Sequence, residues 1–314
     1  MKFENSLRQR NAEEGSSHRG EKSAEPQRRL ALVLLGALTF FWGFNWPIMK
    51  IALTEIPPWT FRSLCLAFGG LSILCLAKMK GLPLSIPKKE LKPLLLAAFF
   101  NVTGWYLCSA YGLFYLKAGR AVILGFTMPL WAAILGKFVL HERLTSERLV
   151  GLGLGLAGLM ILIWPDLKTI GASPFYSLFM LGAAISWATG IITMKYFHWT
   201  MPLVVLTGWQ LMLGGIPVIG GAFLFEPITT FSQLSLKAIF ATAYVILLAI
   251  IFSQWAWFKV VILLPASVAS IGTLAVPVVG VFSSALILGE PIRVMEMIAL
   301  VLVVAGLACV MLRS

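Results

Sequence analysis

The sequence predicts an all-α polytopic membrane protein: ten transmembrane helices arranged as two inverted five-helix repeats. Two observations carry that prediction. The 314 residues are 59% hydrophobic and only 12% charged, with a mean hydropathy of +0.89, which is more apolar surface than one soluble domain can bury. In addition, the stretch from Ala118 to Leu159 returns as Ala266 to Leu307, with 11 of 42 positions identical at a constant shift of 148. Leu and Ala matches are cheap in so apolar a chain. Pro129 with Pro277, Glu142 with Glu290 and Gly158 with Gly306, all in one register, are not.

The elements follow in order. Met1 to Arg29 is polar and of mixed charge, with too little apolar surface to fold alone, so it reads as a disordered cytoplasmic tail. The apolar run that follows, Leu30 to Ala52, is too long and too late for a signal peptide and reads as a first transmembrane helix. A bilayer core about 30 Å thick needs about 20 apolar residues in a helix. Cutting at Pro, Gly and charge clusters gives ten such segments: 30–52, 59–77, 94–116, 119–139, 147–164, 175–196, 203–225, 237–258, 265–288 and 296–312. The cuts near Lys117 and near Pro265 are soft, and the repeat decides them by placing both at equivalent positions. The expected units are residues 30–164 and 175–312.

Orientation follows from the distribution of Lys and Arg. With the N-terminus inside, 18 cations face the cytoplasm and 6 face outward, while Arg62 lies within a span. The positive-inside rule then places both termini in the cytoplasm of a cell (inner) membrane protein. Because five spans is an odd number, the second repeat enters from the opposite side and is inverted. The first helices of the halves also match, Trp42, Met49 and Lys50 against Trp187, Met194 and Lys195, at a shift of 145. Inverted repeats meet near the midplane, where secondary transporters place their substrates.

Taken together, the Phe41-Trp42-Gly43 opening, the Pro129 and Pro277 helices, the His141-Glu142-Arg143 and Gly289-Glu290-Pro291 turns and the Ala-Gly helices that follow them resemble the EamA-like branch of the drug/metabolite transporter superfamily. The resemblance covers about residues 30–312. It implies a carrier, commonly an exporter of amino acids or other small metabolites, with a cavity lined mainly by the first, third and fourth helices of each half. The motifs do not choose the substrate.

Several residues stand out as candidates. Trp42 and Trp187 hold matching mid-depth positions, and with Asn45, Asn101, Trp105 and Gln254 they are the expected cavity residues; packing aromatics and helix-to-helix amides are the plainer alternative. Pro129 and Pro277 fall mid-span, where a missing backbone donor bends a helix. Arg62 either snorkels to the outer interface from its place one turn beyond Pro58 or offers a cation to a substrate carboxylate. Glu142 and Glu290 precede the last helix of each half, where a carboxylate complements the helix dipole or serves a gate. Gly151, Gly155, Gly158 and Gly306 are expected to permit close helix contact.

Other function classes find little in the chain. His18, His141 and His198 are scattered, so no metal cluster or His-based triad is visible, and no phosphate-binding loop occurs. An enzyme is not expected, and no cofactor or metal is implied. The net charge of +12 comes from cations between apolar spans, which set topology and do not recruit nucleic acid. The four cysteines fall in apolar segments and read as core residues. The expected partners are a small-molecule substrate and the lipid bilayer, with the chain a monomer or weak homodimer. A multidrug or cation-efflux carrier is the rival reading, but it depends on a mid-membrane acid, and every acid here lies in the tail or at a span end.

Overall fold

The computed structural model describes residues 27, 29–142, 145–168, 173–227, 233–263 and 266–312. The tail expected to be disordered lies almost wholly outside the described residues, as does Arg143. Among the described residues the chain is helical, without strands, and forms ten helices. These are α1 (Arg29–Ala52), α2 (Pro58–Met79), α3 (Leu91–Tyr115), α4 (Ala118–Val139), α5 (Ser146–Lys168), α6 (Ser173–Tyr196) and α7 (Leu203–Phe225). They are followed by α8, built of Leu236–Tyr244, Val245–Phe252 and Ser253–Leu263, then α9 (Ala266–Leu288) and α10 (Val294–Leu312). Among the described residues seven of them (α1 to α4 and α6 to α8) are long and apolar enough to cross a membrane. Shorter apolar stretches, Leu149–Leu162, Thr273–Leu288 and Val294–Cys309, lie in α5, α9 and α10. The chain is a polytopic membrane protein.

Helices are the form such a sequence must take, because in lipid each backbone donor and acceptor has to be satisfied within its own segment. Accordingly, large apolar side chains such as Phe223, Leu286 and Phe138 point outward, at 80%, 80% and 69% exposure. In water they would be liabilities; in a bilayer such side chains are covered by acyl chains. The interior is packed through small residues instead. A Cβ on Gly306 of α10 would lie 2.6 Å from the Gly151 carbonyl oxygen, and one on Gly158 would lie 3.0 Å from that of Ala299, so α5 and α10 approach backbone to backbone. In the same way α2 packs on α7 and α4 on α9, while α3 and α4 both lie against α6.

Two irregularities recur at related places. The helix α3 widens into a π turn over Phe99–Gly104, and α8 does so over Val245–Phe252, 146 residues later. Left-handed residues end α4 and α9 at His141 (φ 56°) and Gly289 (φ 66°), positions 148 apart. Such a residue lets the amides beyond it turn back onto the last carbonyls.

The prolines differ. The helix α4 is interrupted at Phe126–Thr127, just before Pro129, so Pro129 sits in the first turn of the segment Met128–Val139. The Thr127 hydroxyl donates to the Leu124 carbonyl at 2.7 Å, supplying a partner at the break. Pro277, by contrast, lies inside a helix that continues from Ala266 to Leu288.

Candidate functional site

The π turns are where the first and third helices of opposite halves meet. A π turn frees carbonyls from the regular ladder and is often found at functional sites. In α8 the carbonyl of Ala249 accepts the Trp42 indole N–H at 3.1 Å, and the Tyr244 hydroxyl donates to the Phe41 carbonyl at 3.2 Å. In α3 the carbonyl of Phe100 accepts the Ser186 hydroxyl at 2.8 Å. Space for that last bond comes from Gly104, whose Cβ would stand 2.0 Å from Ser186 Oγ.

Amides line the second of these places. Asn101 Nδ2 donates to Gln210 Oε1 at 2.9 Å, and Gln210 Nε2 points to Met194 Sδ at 3.4 Å, so α3, α7 and α6 are joined by one polar thread. Asn101 Oδ1 is pressed against Gly190, where a Cβ would be 1.9 Å away, and it is buried without a hydrogen-bond partner. Asn45 Oδ1 is likewise buried and unpartnered. Gln254 is half-buried and makes no hydrogen bond among the described residues. The tryptophans form separate pairs: Trp42 with Trp257 at 5.9 Å, and Trp105 with Trp187 at 6.2 Å. Trp42 and Trp187 are 145 residues apart, but their ring partners Trp257 and Trp105 are not at corresponding positions.

Arg62 corrects the snorkelling expectation. It is only 4% exposed, and its guanidinium turns inward, where Nε donates to the Tyr106 carbonyl at 2.9 Å and an Nη donates to Ser109 Oγ at 2.8 Å. Its charge also lies 4.9 Å from the Tyr106 ring centroid. Neutral oxygens and an aromatic face, rather than interfacial water, solvate this cation, because α3 reaches it before the interface does.

Helix ends carry the acids. Glu290 accepts the Ala118 and Gly119 amides at 2.9 and 3.1 Å, so the dipole it complements belongs to α4. That corrects the expectation that it serves the following helix, since α10 begins with Glu296 accepting the Arg293 amide at 2.6 Å. Near Glu290, Lys50 closes the α3–α4 corner by donating to the carbonyls of Leu113, Phe114 and Leu116 at 2.5, 2.8 and 2.7 Å. At the far end of the molecule Glu142 pairs with Lys195 at 3.2 Å.

Two further carboxylates act as clasps that sequence reading missed. Glu55, between α1 and α2, accepts the Ser235 amide at 2.8 Å and hydroxyl at 2.5 Å at the start of α8. These bonds from Ser235 hold its pKa below the ordinary value. Glu90, before α3, accepts the Thr200 amide at 3.0 Å and also the Thr200 hydroxyl, between α6 and α7. Burial pushes the Glu90 pKa up, but the Thr200 and Met201 hydrogen bonds outweigh it and hold the carboxyl low. Residues 55 and 200, like 90 and 235, are 145 apart, so the clasps correspond with acid and hydroxyl exchanged. The shift of 145 carried that signal. Among the described residues no group of His, Cys, Asp and Glu is placed to hold a metal.

Comparison with known proteins agrees with this architecture. The uncharacterised transporter YoaV of Bacillus subtilis is 27% identical over 278 residues, 88% of this chain and 95% of that protein. A probable amino-acid metabolite efflux pump of Salmonella typhimurium is 29% identical over 278 residues, 85% of this chain and 89% of its own. A solved crystal structure aligns with a TM-score of 0.61 at 20% identity, covering 87% of this chain and 95% of the other, which shows the fold. The profile of the EamA-like transporter family matches twice, over residues 29–164 and 174–312, and the chain belongs to that family.

Proposed function

We propose that the protein is an inner-membrane secondary carrier that exports small metabolites, amino acids foremost, by alternating access between two inverted five-helix halves, residues 30–164 and 175–312. All ten helices cross the bilayer in this reading, with both termini cytoplasmic. The observation that carries it is the correspondence across the halves: π turns in α3 and α8, each taking a side-chain hydrogen bond from the first helix of the other half. The relatives named amino-acid metabolite efflux pumps support the substrate class.

The substrate would sit between the π turns. Asn45 and Asn101 present buried acceptors for an ammonium group, the clusters of Trp42 and of Trp105 with Trp187 form apolar walls, and Gln254 adds an amide. Among the described residues Arg62 is the only Lys or Arg buried this deeply, and it is the candidate for a carboxylate. The break before Pro129 and the proline within α9 shape the helices around this space. Every acid of the described helices lies near a helix end, which supports facilitation or exchange without an obligatory mid-membrane proton site and disfavours a multidrug cation carrier.

A counterflow screen across metabolites in sealed liposomes tests the reading, and saturable exchange of a neutral amino acid is the expected result. No saturable exchange of any metabolite would overturn it. Orientation is tested by periplasmic reporter fusions, expected to be active in the 54–58 and 166–174 loops and inactive in the 78–93 loop. The reverse pattern would invert the topology.

A further inference from the structure

Polar contacts at positions related by the internal repeat fall into two kinds. Where inverted halves exchange conformations, what one half does in one state the other half does in the other state. A contact present at both related positions at once therefore persists through the cycle. One present at a single position is made and broken.

The clasps are of the first kind, since Glu55 with Ser235 and Glu90 with Thr200 are both closed. The hydrogen bonds into the π turns, from Trp42 and from Ser186, join corresponding helices through non-corresponding residues and so belong to neither kind. Lys50 and Lys195 are of the second kind. Both end the first helix of their half and are 145 residues apart. Yet Lys50 grips three carbonyls at the α3–α4 corner, whereas Lys195 is 57% exposed and has Glu142 as its polar partner among the described residues.

We propose that Lys50 and Lys195 are reciprocal latches of the transport cycle, and that the conformation described is closed at the Lys50 face and open at the Lys195 face. The proposal rests on the inverted-repeat carrier reading above. In the opposite conformation Lys195 folds onto the carbonyls of Phe258, Lys259 and Val261, the counterparts of Leu113, Phe114 and Leu116 at the shift of 145. Lys50 then lets go and pairs with Glu290, as Lys195 now does with Glu142.

The physical asymmetry fits a switch. A half-buried cation on three carbonyls at the C-terminal end of a helix gains charge-assisted hydrogen bonds and the helix dipole. An exposed ion pair contributes little and is readily exchanged for something better. The clasps meanwhile keep the α1–α2 loop on α8 and the α6–α7 loop on α3, so motion is confined to the α3–α4 and α8–α9 corners. The interruption of α4 at Phe126–Thr127, against the continuous α9, is a backbone difference between the two helices that leave those corners.

The test is a distance measurement by pulsed electron paramagnetic resonance on the full-length protein in liposomes, with native cysteines replaced. One spin-label pair at Tyr115 and Val294 reports the Lys50 face, and a second at Lys259 and Ser146 reports the other; all four positions are exposed. Lys50→Met is expected to raise the population with a long Tyr115–Val294 distance and a short Lys259–Ser146 distance by about tenfold, the scale of a typical conformational coupling. Lys195→Met is expected to shift it the opposite way. Shifts in the same direction, or none, would overturn the latches. Should Lys50→Met fail to fold, Lys195→Met at its exposed site decides alone: it must deplete the opposite conformation. The readout needs no substrate, so absent transport would remove the carrier reading while opposed shifts still stood.

Discussion

The two ends of the molecule are built from corresponding residues and yet behave differently. At one end Lys50 and Glu290 brace the α3–α4 corner, one capping the carbonyls that end α3, the other the amides that begin α4. At the other end their counterparts Lys195 and Glu142 form an ion pair with both side chains accessible, at 57% and 32% exposure. The same residue types therefore contribute unequally, because burial and backbone partners decide what a charge is worth, not its sign. Elsewhere the ends match: each carries one carboxylate clasp, and each half carries one π turn.

Stability measurements sharpen the contrast most. Glu290→Ala removes the acceptor of two helix-start amides and is expected to cost about 1–3 kcal/mol, the range for orphaned partly buried donors. Glu142→Ala removes the charge partner of an exposed lysine, expected to cost about 0–1 kcal/mol through that pair. Apparent Tm in detergent checks both, and equal losses would mean that the ends are not distinct. A second substitution separates the inward-turned cation from the peripheral ones. Arg62→Lys keeps the charge but loses the planar fork that reaches the Tyr106 carbonyl and Ser109 together. Apparent substrate affinity should fall about tenfold, about 1.4 kcal/mol; unchanged affinity would leave Arg62 a helix-to-helix tie alone.

The outline of these contrasts was legible before any coordinates. Composition marked the chain as a membrane protein, and the recurrence of Pro129, Glu142 and Gly158 as Pro277, Glu290 and Gly306 pointed to a doubling. The close contact expected of Gly151, Gly155, Gly158 and Gly306 is found between α5 and α10, since only glycine allows backbones within 3 Å of an added Cβ. The snorkelling alternative for Arg62 failed because one-dimensional distance to Pro58 says nothing of α3, which lies 44 residues on and meets the guanidinium first. Glu290 was assigned to the wrong helix for the same reason: capping is a contact in space, here 172 residues back along the chain. The π turns had no signature, since Phe99–Gly104 and Val245–Phe252 share no motif. The clasps did have one, the shift of 145 linking Glu55 to Thr200 and Glu90 to Ser235, hidden because acid and hydroxyl trade places.

The smallest effect expected is on the clasp at Glu55, which is fully exposed. Hydrogen bonds from Ser235 depress its folded pKa below 4.5. The clasp therefore contributes above that value and is lost as pH falls through the folded pKa. Protection of the Ser235 amide against hydrogen exchange, corrected for intrinsic rates, should weaken below about pH 4.5 in the unsubstituted protein and be pH-independent in Glu55→Gln. Protection that rises on acidification would contradict the assignment.

The central claim is that two corresponding halves move a small metabolite by exchange. Uptake of a labelled neutral amino acid into sealed liposomes preloaded with the unlabelled compound tests it most directly, measured with and without a protonophore. The account predicts saturable uptake that overshoots equilibrium and persists when the proton gradient is collapsed. Flux no greater than in empty liposomes, flux that does not saturate, or accumulation abolished by the protonophore would contradict it.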